Sequence, residues 1–283
     1  MATVIRTLTI FLVLAVSKGF AQDFQGVATY RTQRSINIKM DSTKVNSDMQ
    51  AQILAQMKKQ FQKTFKLTFN KSESIYKEEE SLDTPQVGGG NFQMVMVGSG
   101  GGNDVLYKNT KDQTFTNQQD AMGKIFLIKD DIEKIDWKLE ADTKYIGEYQ
   151  CYKATYTKQV EVFNDSGFSS SNDKKEVDKE PEMQDHIITA WYAPQIPINN
   201  GPAKYQGLPG LILEVHDGKL TIMCSQIVLN PEEKVKIEAP TKGKEVNQQK
   251  FDEIMDKKAK EMMERYAPKN GRKGESIEIR IGG

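Results

Sequence analysis

Apolar and polar positions alternate along most of this chain, and the spacing changes to that of a helix only twice. Phe24 to Ile38 (FQGVATYRTQRSINI) predicts a first strand, rich in β-branched and aromatic residues. Val45, Met49, Leu54, Met57, Phe61 and Phe65 then recur at helical intervals with Gln and Lys between them, predicting an amphipathic helix packed on a sheet. Phe65 to Tyr76 alternates apolar and polar residues at its start and reads as a half-buried strand. From Val105 to Val160 short apolar runs are separated by Asn, Asp and Gly, the pattern of an antiparallel meander. A polar, Ser-rich stretch at 164–185 predicts a long exposed loop, and Ile187 to Tyr192 resumes as a strand. A second helix is expected on Phe251, Ile254, Met255, Met262, Met263 and Tyr266, with Asn247 before it and Pro268 and Asn270-Gly271 after it. Ser276 to Ile281 could form a last strand. The fold class is therefore mainly β (α+β): a curved antiparallel sheet or half-barrel carrying two amphipathic helices.

The densest local information lies in Ala190 to Lys219 (AWYAPQIPINNGPAKYQGLPGLILEVHDGK). Pro194 and Pro197 cannot donate to a ladder, so Ala193 to Ile198 must be an edge or an extended crossing. Gly201-Pro202 belongs to a turn. Gly207-Leu208-Pro209-Gly210 predicts a type II turn with Gly210 at positive φ. Leu211 to Val215 should be a buried strand, and Asp217-Gly218 marks a hairpin turn returning into Leu220 to Leu229.

The N-terminus reads as an export signal. Arg6 precedes the apolar run Leu8 to Val16, and Gly19 and Ala21 are the small residues of a cleavage site. That run is short of the roughly 20 apolar residues that span a bilayer. Residues 1–21 are thus expected to be removed, leaving one exported domain over 22–283, periplasmic or at the cell surface and not membrane-spanning. Basic and acidic residues number 39 each and are interspersed. Such a chain lacks the concentrated basic face of a nucleic-acid binder. Cys151 and Cys224, the two cysteines, are either a disulfide suited to an oxidising compartment or two separately buried thiols.

Candidate chemistry is sparse. His186 and His216 are the only histidines, and neither belongs to a His-x-x-x-His pair. There is no nucleophile elbow and no C-x-x-C pair. Acidic neighbours such as Asp130-Asp131 and Glu78 to Glu80 read as solvated turns. The glycine-rich stretch 88–102, within a loop expected near 83–103, lacks a phosphate-binding lysine. Its Met94 and Met96 have thioethers that suit Cu(I), but no His or Cys lies nearby, so a plain loop is the simpler reading. No cofactor, no metal site and no enzymatic activity are expected.

Gly207 to Ile212 spell GLPGLI, and with Cys151 to Thr155, Ala190-Trp191-Tyr192, Ile196-Pro197-Ile198 and Gly201-Pro202 the chain resembles the GLPGLI family of exported Bacteroidetes proteins. That resemblance implies a compartment and no catalytic residues. In element order alone the chain is also similar to LolA-type lipoprotein carriers, which implies a concave apolar face. The expected function is a binding module holding a lipid or peptide ligand in a groove near Trp191, Tyr192, Pro197, Leu208, Pro209, Leu211 and Ile212. The alternative is an envelope interaction protein serving an outer-membrane partner through the proline-rich edge.

Overall fold

The computed structural model describes residues 24–35, 62–79, 104–162, 182–218 and 220–266. Twelve strands form one large, curved, open sheet. In chain order they are β1 (Gln25–Arg34), β2 (Lys63–Asn70), β3 (Glu73–Glu78), β4 (Val105–Asn109), β5 (Thr114–Ala121) and β6 (Lys124–Asp131). Then come β7 (Lys138–Ile146), β8 (Tyr149–Val162), β9 (Glu182–Ala193), β10 (Leu211–Asp217), β11 (Leu220–Leu229) and β12 (Lys244–Val246). Across the sheet the order is β12-β6-β5-β4-β3-β2-β1-β11-β10-β9-β8-β7. The first strand therefore sits mid-sheet, paired with β11 near the other end of the chain order.

Period-two patterning decides which face is buried. Ala28 and Tyr30 of β1, Leu67 and Phe69 of β2, and Ser74 and Tyr76 of β3 all point to one side and are buried. The register places Leu67 opposite both Ala28 and Tyr76. Phe65 stacks on Tyr76 with ring centroids 4.8 Å apart and planes 4° off parallel. Stacked cross-strand aromatics of this kind pin the register.

Four sequence expectations change. Phe65 to Tyr76 is two strands, not one, because Asn70 turns the chain: its Oδ1 accepts the backbone N–H groups of Ser72 and Glu73 at 2.9 and 2.7 Å. The sheet is not wholly antiparallel, since β12 pairs parallel to β6. Residues 230–243 carry the chain from β11, mid-sheet, to β12 at the edge, a connection long enough to leave strand direction free. And one helix, not two, stands among the described residues: α1 (Gln248–Tyr266). The expected first helix falls largely on residues outside those described, and its last apolar position, Phe65, lies in β2. So do the signal segment, the Met94–Met96 loop and the last expected strand fall outside them. The expected loop at 164–185 starts to pair earlier than its composition suggested, at Glu182 in β9.

The second helix signal holds. Asn247 caps α1 by accepting the Lys250 N–H at its Oδ1, 3.0 Å away. Phe251 packs edge-on against Phe126 of β6, centroids 5.3 Å apart, in a small satellite core with Ala121 and Ile128. No helix among the described residues is long and apolar enough to cross a membrane.

Candidate functional site

The segment from Pro194 to Gly210, between β9 and β10, does not run along the sheet edge. It crosses the hollow of the curve and becomes part of the core. Ile196, Ile198, Tyr205 and Leu208 are buried in the main hydrophobic cluster, while Pro194, Pro197, Asn199 and Pro209 face outward. Its contacts reach β4, five places from β10 in the sheet and about 24 Å away were the sheet flat. Curvature brings them together.

Lys108 of β4 is the anchor. Its side chain is fully buried, and Nζ donates to the carbonyls of Gly201, Ala203 and Tyr205 at 2.9, 2.8 and 3.2 Å. Three carbonyls from one turn match three ammonium hydrogens, with no carboxylate involved. Burial pulls the lysine down to about 7. Around it, Asn200 Nδ2 donates to Ser74 Oγ at 2.9 Å, and Tyr30 Oη donates to the Ile212 carbonyl at 2.7 Å. Backbone bonds from Leu211 N–H to Ile196 O and from Ile212 N–H to Asn200 O complete the tie.

The glycines of this segment act differently from the expected type II turn. Gly207, not Gly210, has positive φ, at 98°. Gly210 is needed for space: a Cβ there would sit 2.4 Å from the Ala193 carbonyl oxygen. A Cβ at Gly201 would sit 2.7 Å from the Ile212 side chain, and Pro202 beside it is buried. The hairpin also shifts by one residue. Asp217 pairs with Leu220, so Gly218, at φ 61°, is the first turn residue and Asp217 the last of β10.

The expected groove residues therefore do not share a groove. Tyr192, Leu208, Leu211 and Ile212 are core residues. Pro197 and Pro209 face solvent. Trp191, next to Tyr192 on β9, lies on the other face of the sheet beneath the Lys144 ammonium, 4.4 Å from its ring centroid. The chain's own segment fills the place where a ligand was expected. Cys151 and Cys224 are free, buried thiols. Burial pushes them to about 11 and about 12, far from thiolate reactivity at neutral pH.

Beside the crossing segment a cleft of about 980 Å³ stays open. Lys108 and Tyr205 form its floor, with Leu106, Phe115 and Asn117 from β4 and β5 on one side. Tyr156, Lys158, Gln159 and Ile188 of β8 and β9 stand opposite, joined by Lys204. Asp130, Asp131, Ile132, Glu133 and Ile135, at and beyond the end of β6, close a third side with Gln248 of α1. Asp130 is occupied, since its Oδ2 accepts the Gln248 N–H at 3.0 Å.

Next to this cleft sits a cluster that the sequence did not reveal. Asp217 accepts from the Tyr205 hydroxyl through Oδ2, and its Oδ1 lies 2.5 Å from His186 Nε2. Burial would raise the Asp217 carboxyl, but the bonds from Tyr205 and His186 outweigh it and hold it below the usual range. On the opposite face Glu214 joins Lys144, at 2.7 Å, and His216. No spacing rule links His186 to Asp217, 31 residues on. Only the β9–β10 register joins them. Among the described residues no group of three or more His, Cys, Asp or Glu side chains could hold a metal ion.

These features define a mainly β protein of one open sheet whose own chain fills part of its hollow and leaves an amphipathic cleft beside it. Residues 137–214, from the approach to β7 through most of β10 and including the crossing segment, match the model of a family described as "Protein of unknown function (Porph_ging)". None of the curated proteins compared with the chain matches it. Among solved structures, PNGF-II in a C2 space group is similar at TM-score 0.47 and 14% identity, over 83% of this chain. The same protein in a P21 space group gives TM-score 0.47 and 13% identity. The chain spans about a third of PNGF-II, 33% of its length. LprF from Mycobacterium bovis is similar at TM-score 0.22 and 10% identity, over 81% of this chain and 92% of that one.

Proposed function

We propose that this is an exported, non-enzymatic binding protein whose ligand site is the cleft beside the crossing segment. The observation carrying this reading is that the polar groups around the hollow are satisfied within the protein while about 980 Å³ next to them stays open. That volume lies at the upper end of the range for ligand pockets. Apolar surface from Leu106, Phe115, Ile135, Tyr156 and Ile188 alternates with amide and charged groups, so the ligand is amphipathic. The rigid floor supports binding in preference to turnover. Lys108 and Tyr205 are both held in hydrogen bonds, and a preorganised floor lowers the entropic cost of binding.

Mass spectrometry of molecules released from protein purified from its native envelope tests this. Wild type should carry a reproducible ligand, and Asn117→Trp, which pushes an indole into the cleft from β5, should lose it. Equal loading of both proteins, or an empty wild type, counts against the cleft as the site.

A further inference from the structure

The cleft has charges of both signs on separate walls. Lys158 of β8 is half-buried and Lys204 of the crossing segment is exposed. Among the described residues neither lysine forms an ion pair with a carboxylate. Across the cleft, the Asp131 and Glu133 side chains, exposed at and beyond the end of β6, have no cationic partner among the described residues. Between these poles lie the apolar side chains and the amide of Asn117, the Gln159 amide being bonded to Asp185. Lys158 is the informative member. It sits opposite His186 in the β8–β9 register, on the wall beside the Asp217 cluster, and its charge helps hold Asp217 down. The Asp217 carboxylate is already taken by Tyr205 and His186. A half-buried ammonium facing a cleft, with the nearby carboxylate spoken for, lacks one anion.

We propose that the cleft recognises a short peptide, its terminal carboxylate at Lys158 and Lys204 and its amino end toward Asp131 and Glu133. This rests on the cleft being the ligand site and names the ligand class. An acyl chain fits less well, because laying hydrocarbon across these poles desolvates several charges without a partner. A zwitterionic chain supplies the missing counter-charge at each end, and its backbone N–H and C=O groups meet the Asn117 amide midway. A cleft of about 980 Å³ also far exceeds the needs of one free amino acid.

Calorimetric titration of the folded protein tests this with the peptide Ala-Phe-Ile-Ala in free, N-acetylated and C-amidated forms, and with the uncharged dye Nile red as an apolar probe. The free peptide should bind, displace the dye, and lose about tenfold in affinity on amidation, the loss expected for one charge-assisted bond. Lys158→Gln should bring the free peptide to the level of the amide and leave the amide unchanged. Lys204→Gln, at an exposed position, gives the same comparison should Lys158→Gln melt early. Equal affinity for free and amidated peptide overturns the carboxylate assignment. Dye binding without any peptide competition overturns the peptide class and leaves the cleft standing as a site. Failure of dye and peptides alike overturns both.

Discussion

Replacing Lys108 with methionine sets two opposing effects against each other, and pH decides which dominates. The substitution keeps the buried volume but strips hydrogen bonds from the carbonyls of Gly201, Ala203 and Tyr205. Each buried acceptor left unpaired costs about 1–3 kcal/mol, so the loss is on the order of 3–9 kcal/mol before relaxation while the ammonium makes all three bonds. It is on the order of 2–6 kcal/mol once the neutral amine, with two hydrogens, takes its place. Against this, wild type bears the cost of burying an ammonium at low pH. Burial lowers Lys108 to about 7 from the usual 10.5, so between those values the unfolded chain holds the proton and the folded one does not. Stability then rises with pH through that window, by about 1.4 kcal/mol per unit. Lys108→Met lacks this rise. Its deficit against wild type should be smallest near pH 6 and should grow by about 3 kcal/mol by pH 9.5. Urea unfolding of both proteins across this range is the assay, because other titrating groups cancel in the difference. A pH-independent difference, or a variant more stable than wild type at pH 9.5, refutes the role given to this lysine.

Other substitutions probe the same assembly. Gly210→Ala places a methyl 2.4 Å from the Ala193 carbonyl oxygen, against backbone that cannot yield, and should destabilise by about 3 kcal/mol or more in thermal melts. A melting temperature within a degree or so of wild type would show the approach to be looser than described. Asp217→Asn weakens the bonds to Tyr205 and His186. Because the Asp217 carboxyl is held below its usual value, its stabilisation is present at neutral pH and lost as pH falls through the folded value. The variant should therefore be less stable by about 1–3 kcal/mol at pH 7 and match wild type in acid, as followed by urea denaturation. A constant deficit down to pH 2 would contradict that.

Period-two patterning made the sheet legible, because each half-buried strand writes its own alternation into the sequence. The prolines in Ala193 to Ile198 correctly excluded an interior strand, and Asn247 with Phe251 marked α1. The hairpin at Asn70 was missed because the alternation of Phe65 to Phe69 was carried on across five polar residues, although Asn-Lys-Ser is turn chemistry. The site was hardly legible at all. Leu208, Leu211 and Ile212 look identical in sequence whether they line a groove or fill one, and only the curvature decides. A lone Lys108 in the strand VLYKN gives no hint that three carbonyls from residues 201–205 surround it. His186 and Asp217 meet only through strand register.

Amide hydrogen exchange in the crossing segment bears most directly on all of this. If Pro194 to Gly210 is core, the N–H groups of Ile198, Leu211 and Ile212, bonded to Ile196 and Asn200 carbonyls, should exchange only through global unfolding, as slowly as those of β1. Rapid exchange of these amides in the folded protein would mean that the segment lifts out of the hollow, and that the cleft beside it has no fixed floor.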